Sequence, residues 1–482
     1  MADNPKTQRN LPNIVLLMSD QHRGDAMSCE GHPVIRTPAL DAIAAHGCRF
    51  TRAYTTCPLC MPARASFATG RYNHNHGMVG NLSAVIRPEE RRRSVGLVLQ
   101  QAGYVTAFVG KHHLMPQVGG FDQRRAADFL RREFGFDHLH QVVGKFGSQR
   151  ADCDWTAHLR ELGLLDMHRA DYAERVRQRK WFARPSPLPR DEQSDSYTGR
   201  QAIEWLRGRP SQPFFLWISF PGPHDPWDAP GEYGRMYDPA QMPLPLAWGE
   251  TFEGKPHAQR GHAEHLGMLT VDETAVKAMA AQYYGLVSNI DHWCGRIMSA
   301  LGEIGVLDNT VVLYTSDHGE MLGDHRLLNK SLFYEGSARV PLLVADYRQA
   351  PLSATCAAPA ETVDVYRTIL DWAQAPAPEG TFGRDLTAPA QDDAGADDGA
   401  AFSEYDTGLM VRAGRWKYIH DPAKGGPQEL YDLEADPEEL RNLVRDRAYR
   451  DITDELRGRM LDWLAATQCR DLDAWEDLAR GM

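Results

Sequence analysis

Four short apolar runs punctuate the chain, and each ends in a polar cluster. Ile14–Met18 runs into Ser19-Asp20-Gln21-His22, and Val105–Val109 into Gly110-Lys111-His112-His113. Phe214–Phe220 runs into Pro221-Gly222-Pro223-His224-Asp225, and Val311–Tyr314 into Thr315-Ser316-Asp317-His318-Gly319-Glu320. Unbroken runs rich in Val, Ile and Phe suit strands buried on both faces, as in a sheet covered by helices on either side. In doubly wound sheets the ligand sits beyond the carboxyl ends of the strands. Clusters of Asp, His and Lys at four strand ends therefore predict one shared site.

Helical patterns fill the gaps. Thr37-Pro38 opens one, with Thr as N-cap and Pro at the first helical position, Leu40 and Ile43 inside, and Gly47 at its end. Ser94–Ala102 and Thr274–Leu301 also read as helices, the second long and irregular. Ala375–Ala401 is rich in Ala, Pro, Gly and Asp and marks a boundary or surface loop. Beyond it, the alternation across Gly408–His420 fits one half-exposed antiparallel strand. Glu429–Leu433 fits another, ahead of a helical tail. The expectation is an open α/β sheet over residues 1–374 and a small C-terminal α+β domain over 375–482. Two stretches, 120–190 and 228–270, carry no readable motif. Long insertions of this kind often wall the pockets of α/β enzymes.

Charge and composition narrow the partners. Lys plus Arg number 53 against 65 Asp plus Glu, a net charge of −12 over 482 residues. That balance disfavours nucleic acid. An anionic substrate then requires positive groups gathered locally. Residues 1–10 are polar, without the apolar core of a secretory signal. No run approaches the ~18 apolar residues of a membrane span. A cytoplasmic location, away from any membrane, is the expectation. The eight cysteines, at 29, 48, 57, 60, 153, 294, 356 and 469, are scattered and read mostly as reduced, buried residues.

The densest motif is Cys57-Pro-Leu-Cys60-Met-Pro62-Ala63-Arg64-Ala-Ser-Phe-Ala-Thr69-Gly70-Arg71. Cys60 would stand at or near a helix N-terminus, where free N–H groups and the dipole favour anions. Arg64, one turn on, can point back to the same spot. Two plainer readings stay open: a Cys-x-x-Cys redox dithiol or half a zinc site, and a buried structural Cys. No second Cys-x-x-Cys or His-x-His partner lies nearby.

This motif resembles that of the sulfatase family of the alkaline-phosphatase superfamily, Cys-x-Pro-Ser/Ala-Arg followed by Thr/Ser-Gly-Arg/Lys. The resemblance runs along almost the whole chain. It implies an α/β fold with a large mixed, mostly parallel sheet flanked by helices, plus the small C-terminal domain. In the family a separate maturation enzyme oxidises this Cys to formylglycine. One hydroxyl of the hydrated aldehyde attacks sulfur, and the other then expels sulfate. The resemblance also implies a divalent metal held by Asp20, Gln21, Asp317, His318 and the modified Cys60. Oxygen ligands favour Ca²⁺; the imidazole and the Gln in place of a second Asp keep Mn²⁺ or Mg²⁺ in view. Lys111 and His113 match the family's Gly-Lys-x-His, one neutralising sulfate oxygens and the other holding the nucleophile's hydroxyl or taking its proton. His112 is expected to point elsewhere. His224 matches the leaving-group acid, Lys330 the second substrate Lys, and Asn81 an Asn that contacts the transferred group. The stretches Val411–His420 and Glu429–Glu439 resemble the family's C-terminal domain.

The leading reading is hydrolysis of a small organic or aryl sulfate. The alternative within the superfamily is hydrolysis of phosphonate monoesters or phosphodiesters, which Asp20-Gln21 and His318 favour and Gly-Lys-x-His opposes. A third, of another class, is a non-catalytic anion-binding or thiol-redox protein with an unmodified Cys60. The oligomeric state is left open, a homo-oligomer included.

Overall fold

The four apolar runs become four neighbouring strands at the centre of one sheet. In a computed structural model, which describes residues 11–81, 85–116, 120–178, 183–387 and 399–468, the strands in chain order are β1 (Asn13–Asp20), β2 (Cys48–Phe50), β3 (Ala53–Tyr54), β4 (Val105–Gly110), β5 (His138–Gln141), β6 (Phe214–Pro223), β7 (Thr310–Ser316), β8 (Leu342–Asp346), β9 (Ala354–Cys356), β10 (Ala360–Glu361), β11 (Ala400–Tyr405), β12 (Gly408–Ala413), β13 (Trp416–Asp421) and β14 (Gly426–Asp432). The main sheet has eight strands in the order β5-β4-β6-β1-β7-β8-β2-β9. Only β8 runs against the others. The sheet is therefore mixed and mostly parallel. A short parallel pair, β3 and β10, lies beside it.

Period-two alternation decides which residue meets which helix. Ile14, Leu16 and Met18 of β1 pack with Phe215, Trp217, Val311 and Leu313 on one face. Met61, Ala65 and Ala68 of helix Cys60–Thr69, and Val365 and Ile369 of helix Thr362–Trp372, cover them. Val15 and Leu17 face the other way, with Leu216, Ile218, Val312 and Tyr314. There Ile290, Trp293 and Ile297 of helix Glu273–Glu303 close the core, beside Ala202, Ile203 and Leu206 of helix Ser194–Arg207. β4, β6, β1 and β7 thus stand side by side with their carboxyl ends on one edge.

The C-terminal region forms an antiparallel sheet in the order β11-β12-β13-β14. Val411, Tyr418 and Leu430 pack under Leu456, Met460 and Trp463 of helix Arg450–Thr467. Met410, Ile419 and Tyr431 of the opposite face pack with Phe333 and Tyr334 of the α/β region.

Three local expectations need correction. The segment 408–420 is two strands, because Ala413 pairs with Trp416 across a two-residue turn at Gly414-Arg415. The long helix is one continuous element of 31 residues, with Asp272 capping it through Ala275 N–H at 2.7 Å. Thr37 precedes helix Pro38–His46, but its hydroxyl accepts the Ser28 N–H and does not cap. The cap comes from Asp291, whose carboxylate accepts the N–H groups of Leu40 (2.8 Å) and Ala39 (3.3 Å).

Burial raises the Asp291 carboxyl to about 7, the two N–H bonds only partly opposing it. An unfolded Asp ionises near 4, so the native state holds this proton more tightly. The group's contribution to stability is full below pH ~4 and is lost as pH rises to about 7. An Asp291→Asn variant should therefore gain on the wild type across that window, read as the difference of their denaturant midpoints against pH. Equal slopes for the two proteins would refute it.

Of the seven described cysteines, all but Cys29 are buried. Residues 1–10 and Cys469 lie outside the described residues. Among the described residues no helix is long and apolar enough to cross a membrane.

Candidate active site

Helix Cys60–Thr69 begins at Cys60 itself, after an extended Leu59. It ends at Gly70, in the left-handed region (φ 66°), where a Cβ would run into the Tyr366 ring. That contact accounts for the Gly of the Thr-Gly-Arg triplet. The Met61 N–H, in the first turn, is accepted by Asn81 Oδ1 at 3.0 Å. Asn81 is thus placed beside Cys60 as a cap on its helix.

Four ligand atoms, from Asp20, Cys60, Asp317 and His318, all lie within 4.8 Å of one another, and all four residues are buried. Asp20 ends β1, and Asp317-His318 follow β7 directly. Arg64 ties the two carboxylates together. Its Nη2 donates to Asp20 Oδ2 at 2.8 Å and its Nε to Asp317 Oδ2 at 2.8 Å. Nη1 donates to Ser219 Oγ at 2.8 Å and to the Lys111 carbonyl. Lys111 Nζ also sits on Asp20 Oδ2, at 2.5 Å. Both cations hold one Asp20 oxygen and leave Oδ1 turned to the Cys60 Sγ at 3.9 Å. The His318 Nδ1 donates to the Gly319 carbonyl at 2.9 Å, which frees Nε2 as a lone-pair donor, 3.1 Å from the Cys60 Sγ. Two carboxylates, an imidazole and the Cys60 side chain converging on one point fit a hard or borderline divalent cation.

Gln21 is held in a strained backbone conformation (φ 72°). Its N–H donates to Asp317 Oδ1 at 3.1 Å, and its carbonyl accepts from Tyr283 at 2.8 Å. The side-chain amide donates to Glu320 and, at 3.4 Å, to Asp225 Oδ1; its oxygen accepts from Lys330. Lys330 Nζ also donates to His224 Nε2 at 2.7 Å, and His224 Nδ1 lies 3.0 Å from Asp225 Oδ1. The result is a closed ring through Gln21, Lys330, His224 and Asp225. His113 lies close enough to Cys60 for the two to interact electrostatically. His112 turns away, its Nδ1 accepting the Leu114 N–H and its ring lying against Phe108.

Electrostatics follow from this packing. Burial and the Cys60 sulfur push the Asp20 carboxyl up, but Lys111 and Arg64 outweigh them and hold it ionised, well below its ordinary value. Burial raises the Cys60 thiol, yet Lys330, Lys111 and His318 override it and favour a thiolate. Burial and then Lys111 lower His113 to about 4, so it is neutral. Burial and Lys330 pull His224 down, Asp225 and Cys60 push it up, and the balance lies at about 9. Burial lowers Lys330, 2.7 Å away, but Cys60 and Asp225 outweigh it and raise it too. Arg64, Lys111 and the Lys330–His224 pair then face the carboxylates of Asp20, Asp317, Asp225 and Glu320.

Asp225 and Glu320 are site residues that sequence reasoning did not assign. Each stood in a strand-end cluster, next to His224 and two residues after His318. Ser219, within β6, carried no comparable signal.

The family model described as Sulfatase matches residues 12–375. The chain belongs to the sulfatase family. Sulfatases are sulfuric ester hydrolases, and this chain is one of them. A second model, the C-terminal region of N-sulphoglucosamine sulphohydrolase, matches residues 323–466. The sulfatase is 32% identical to the arylsulfatase of Clostridium perfringens over 460 residues, covering 92% of this chain and 93% of that one. It is 29% identical to PehA, a multifunctional alkaline phosphatase superfamily protein of Trinickia caryophylli, over 98% of both chains. Among solved structures it superposes on the phosphonate monoester hydrolase of Agrobacterium radiobacter with a TM-score of 0.73 and 25% identity, covering 95% of this chain and 96% of that one.

Proposed function

We propose that this sulfatase hydrolyses small organic sulfates, aryl sulfates foremost, with formylglycine made from Cys60 as nucleophile and a divalent metal, Ca²⁺ favoured over Mn²⁺ or Mg²⁺, at its side. The observation that carries the reading is the convergence of Asp20, Cys60, Asp317 and His318 on one point under a lid of Lys111 and Lys330. Cys60 Sγ stands where the formylglycine oxygens would be. When present, the aldehyde hydrate supplies the attacking oxygen and the metal a Lewis acid.

The chain's own residues do the rest. Asp20, Asp317 and His318 would hold the ion, with the Gln21 oxygen, now on Lys330, as a further ligand. Arg64 acts through the carboxylates it orients. Lys111 and Lys330 neutralise the sulfate oxygens. His113, neutral and beside position 60, takes the hydroxyl proton. His224, as the imidazolium that its raised pKa favours, gives a proton from Nε2 to the ester's bridging oxygen while Asp225 holds the Nδ1–H. Asn81 keeps the helix end in place. The implied partner is a maturation enzyme that oxidises Cys60. A division of the chain at residues 374 and 375 belongs to the same reading, supported by the sulfatase match ending at residue 375.

The competing reading is phosphonate monoester or phosphodiester hydrolysis, favoured by the Asp20-Gln21 and His318 ligand set and by the likeness to the phosphonate hydrolase fold. Matched p-nitrophenyl sulfate and p-nitrophenyl phosphonate ester, assayed on protein whose aldehyde is confirmed by mass spectrometry, decide between them. The expected kcat/KM ratio favours the sulfate; a ratio favouring the phosphonate overturns the proposal. Exhaustive chelation should lower activity roughly 1000-fold, because a Lewis acid at this point is worth several kcal/mol. Ca²⁺ should restore it best, and recovery with Mn²⁺ alone would reassign the ion.

A further inference from the structure

We infer that Phe146 determines specificity: its ring is the wall against which the organic part of the ester lies, and it selects a flat, apolar leaving group. The inference rests on the sulfate-ester reading above. The site has a closed end and an open one. Cys60 is 1% exposed, whereas the His224 side chain is 16% exposed. Sulfate therefore enters inward, and the leaving group lies at the His224 rim. There the Phe146 ring stands 6.2 Å from the His224 ring, at 78° to it.

Phe146 has no packing role that would otherwise explain it. It is half-buried and joins none of the apolar clusters formed by the described residues. Its neighbour holds it in place. Lys145 Nζ, fully buried, binds Asp228 Oδ1 at 2.6 Å and the Pro226 carbonyl at 3.2 Å. Tyr172 secures the other Asp228 oxygen at 2.7 Å. The residues that fix Phe146 thus lie on the segment that carries His224, so the two rings keep their spacing. A preorganised aromatic face favours another aromatic ring over an alkyl chain.

The test is the Phe146→Ala variant, with Phe146→Tyr as the conservative control, both carrying the confirmed aldehyde. Initial rates would be measured with p-nitrophenyl sulfate and with ethyl sulfate, following sulfate release, alongside inhibition by inorganic sulfate. For Phe146→Ala, KM for the aryl ester should rise about five- to tenfold, the scale of one aromatic pair. Its kcat, the ethyl sulfate kcat/KM and the sulfate inhibition constant should stay near wild type, and Phe146→Tyr should restore the aryl KM. Equal losses on both esters, or no change on the aryl ester, would overturn the inference while leaving the sulfatase reading intact. A wild type inert on both esters would sink the two together.

Discussion

Replacing Cys60 with Ala is expected to lower turnover of a sulfate ester by roughly 10⁵-fold or more, the scale seen when an enzyme's nucleophile is removed. The residual rate should come from Lys111, Lys330 and the ion binding the ester. The fold should survive, because Cys60 starts its helix and lends little apolar surface to the core. Cys60→Ser separates two possibilities. A serine oxygen can attack but has no second hydroxyl with which to expel sulfate. It should release at most one leaving group per site and then stall as a sulfate ester visible by mass spectrometry. An Ala variant that turns over like the wild type would place the nucleophile elsewhere.

Lys417→Ala should cost about 3–5 kcal/mol of stability, the penalty for stripping one partner from a buried ionic group. Lys417 stands on β13 with a fully buried side chain. Its Nζ binds Glu335 Oε1 at 2.6 Å, Glu439 Oε1 at 2.8 Å and the Phe333 carbonyl at 2.9 Å. Burial alone would lower its pKa, but Glu335 and Glu439 outweigh that and hold it protonated. Without it, Glu439, 3% exposed, is left facing Glu335. The measurement is the urea midpoint with the m-value held fixed. Adding Glu439→Gln should recover part of the loss, because the facing carboxylates are then reduced to one. A single variant as stable as wild type would show that the ion pair does not join the C-terminal sheet to the α/β region.

The central architecture was legible because one physical signal was strong. Strands buried on both faces read as unbroken apolar runs, and their carboxyl ends gather whatever chemistry follows them. Asp20, Lys111, His224 and Asp317 were visible on that ground alone. What was not legible depends on partners far along the chain. Nothing near Thr37 announces that Asp291 will cap its helix. The turn at Gly414-Arg415 was hidden because alternation continues through it, although Gly414 sits at φ 52°. Asp225 and Glu320 look like ordinary loop carboxylates until Gln21 is seen between them. Phe146 lies in a stretch with no periodicity at all.

The middle of the main sheet has a temporal side. β1 is made well before its two neighbours, β6 and β7, which come about 200 and 300 residues later. Until then its edges have nothing to pair with, and a long unpaired apolar segment is prone to wrong association. Translation at ~5–20 residues per second makes that wait tens of seconds. The same interval keeps position 60 uncovered, since the residues that wall it in, Asp317, His318 and Lys330, have yet to be synthesised. A nascent chain therefore exposes this cysteine before the finished molecule closes over it.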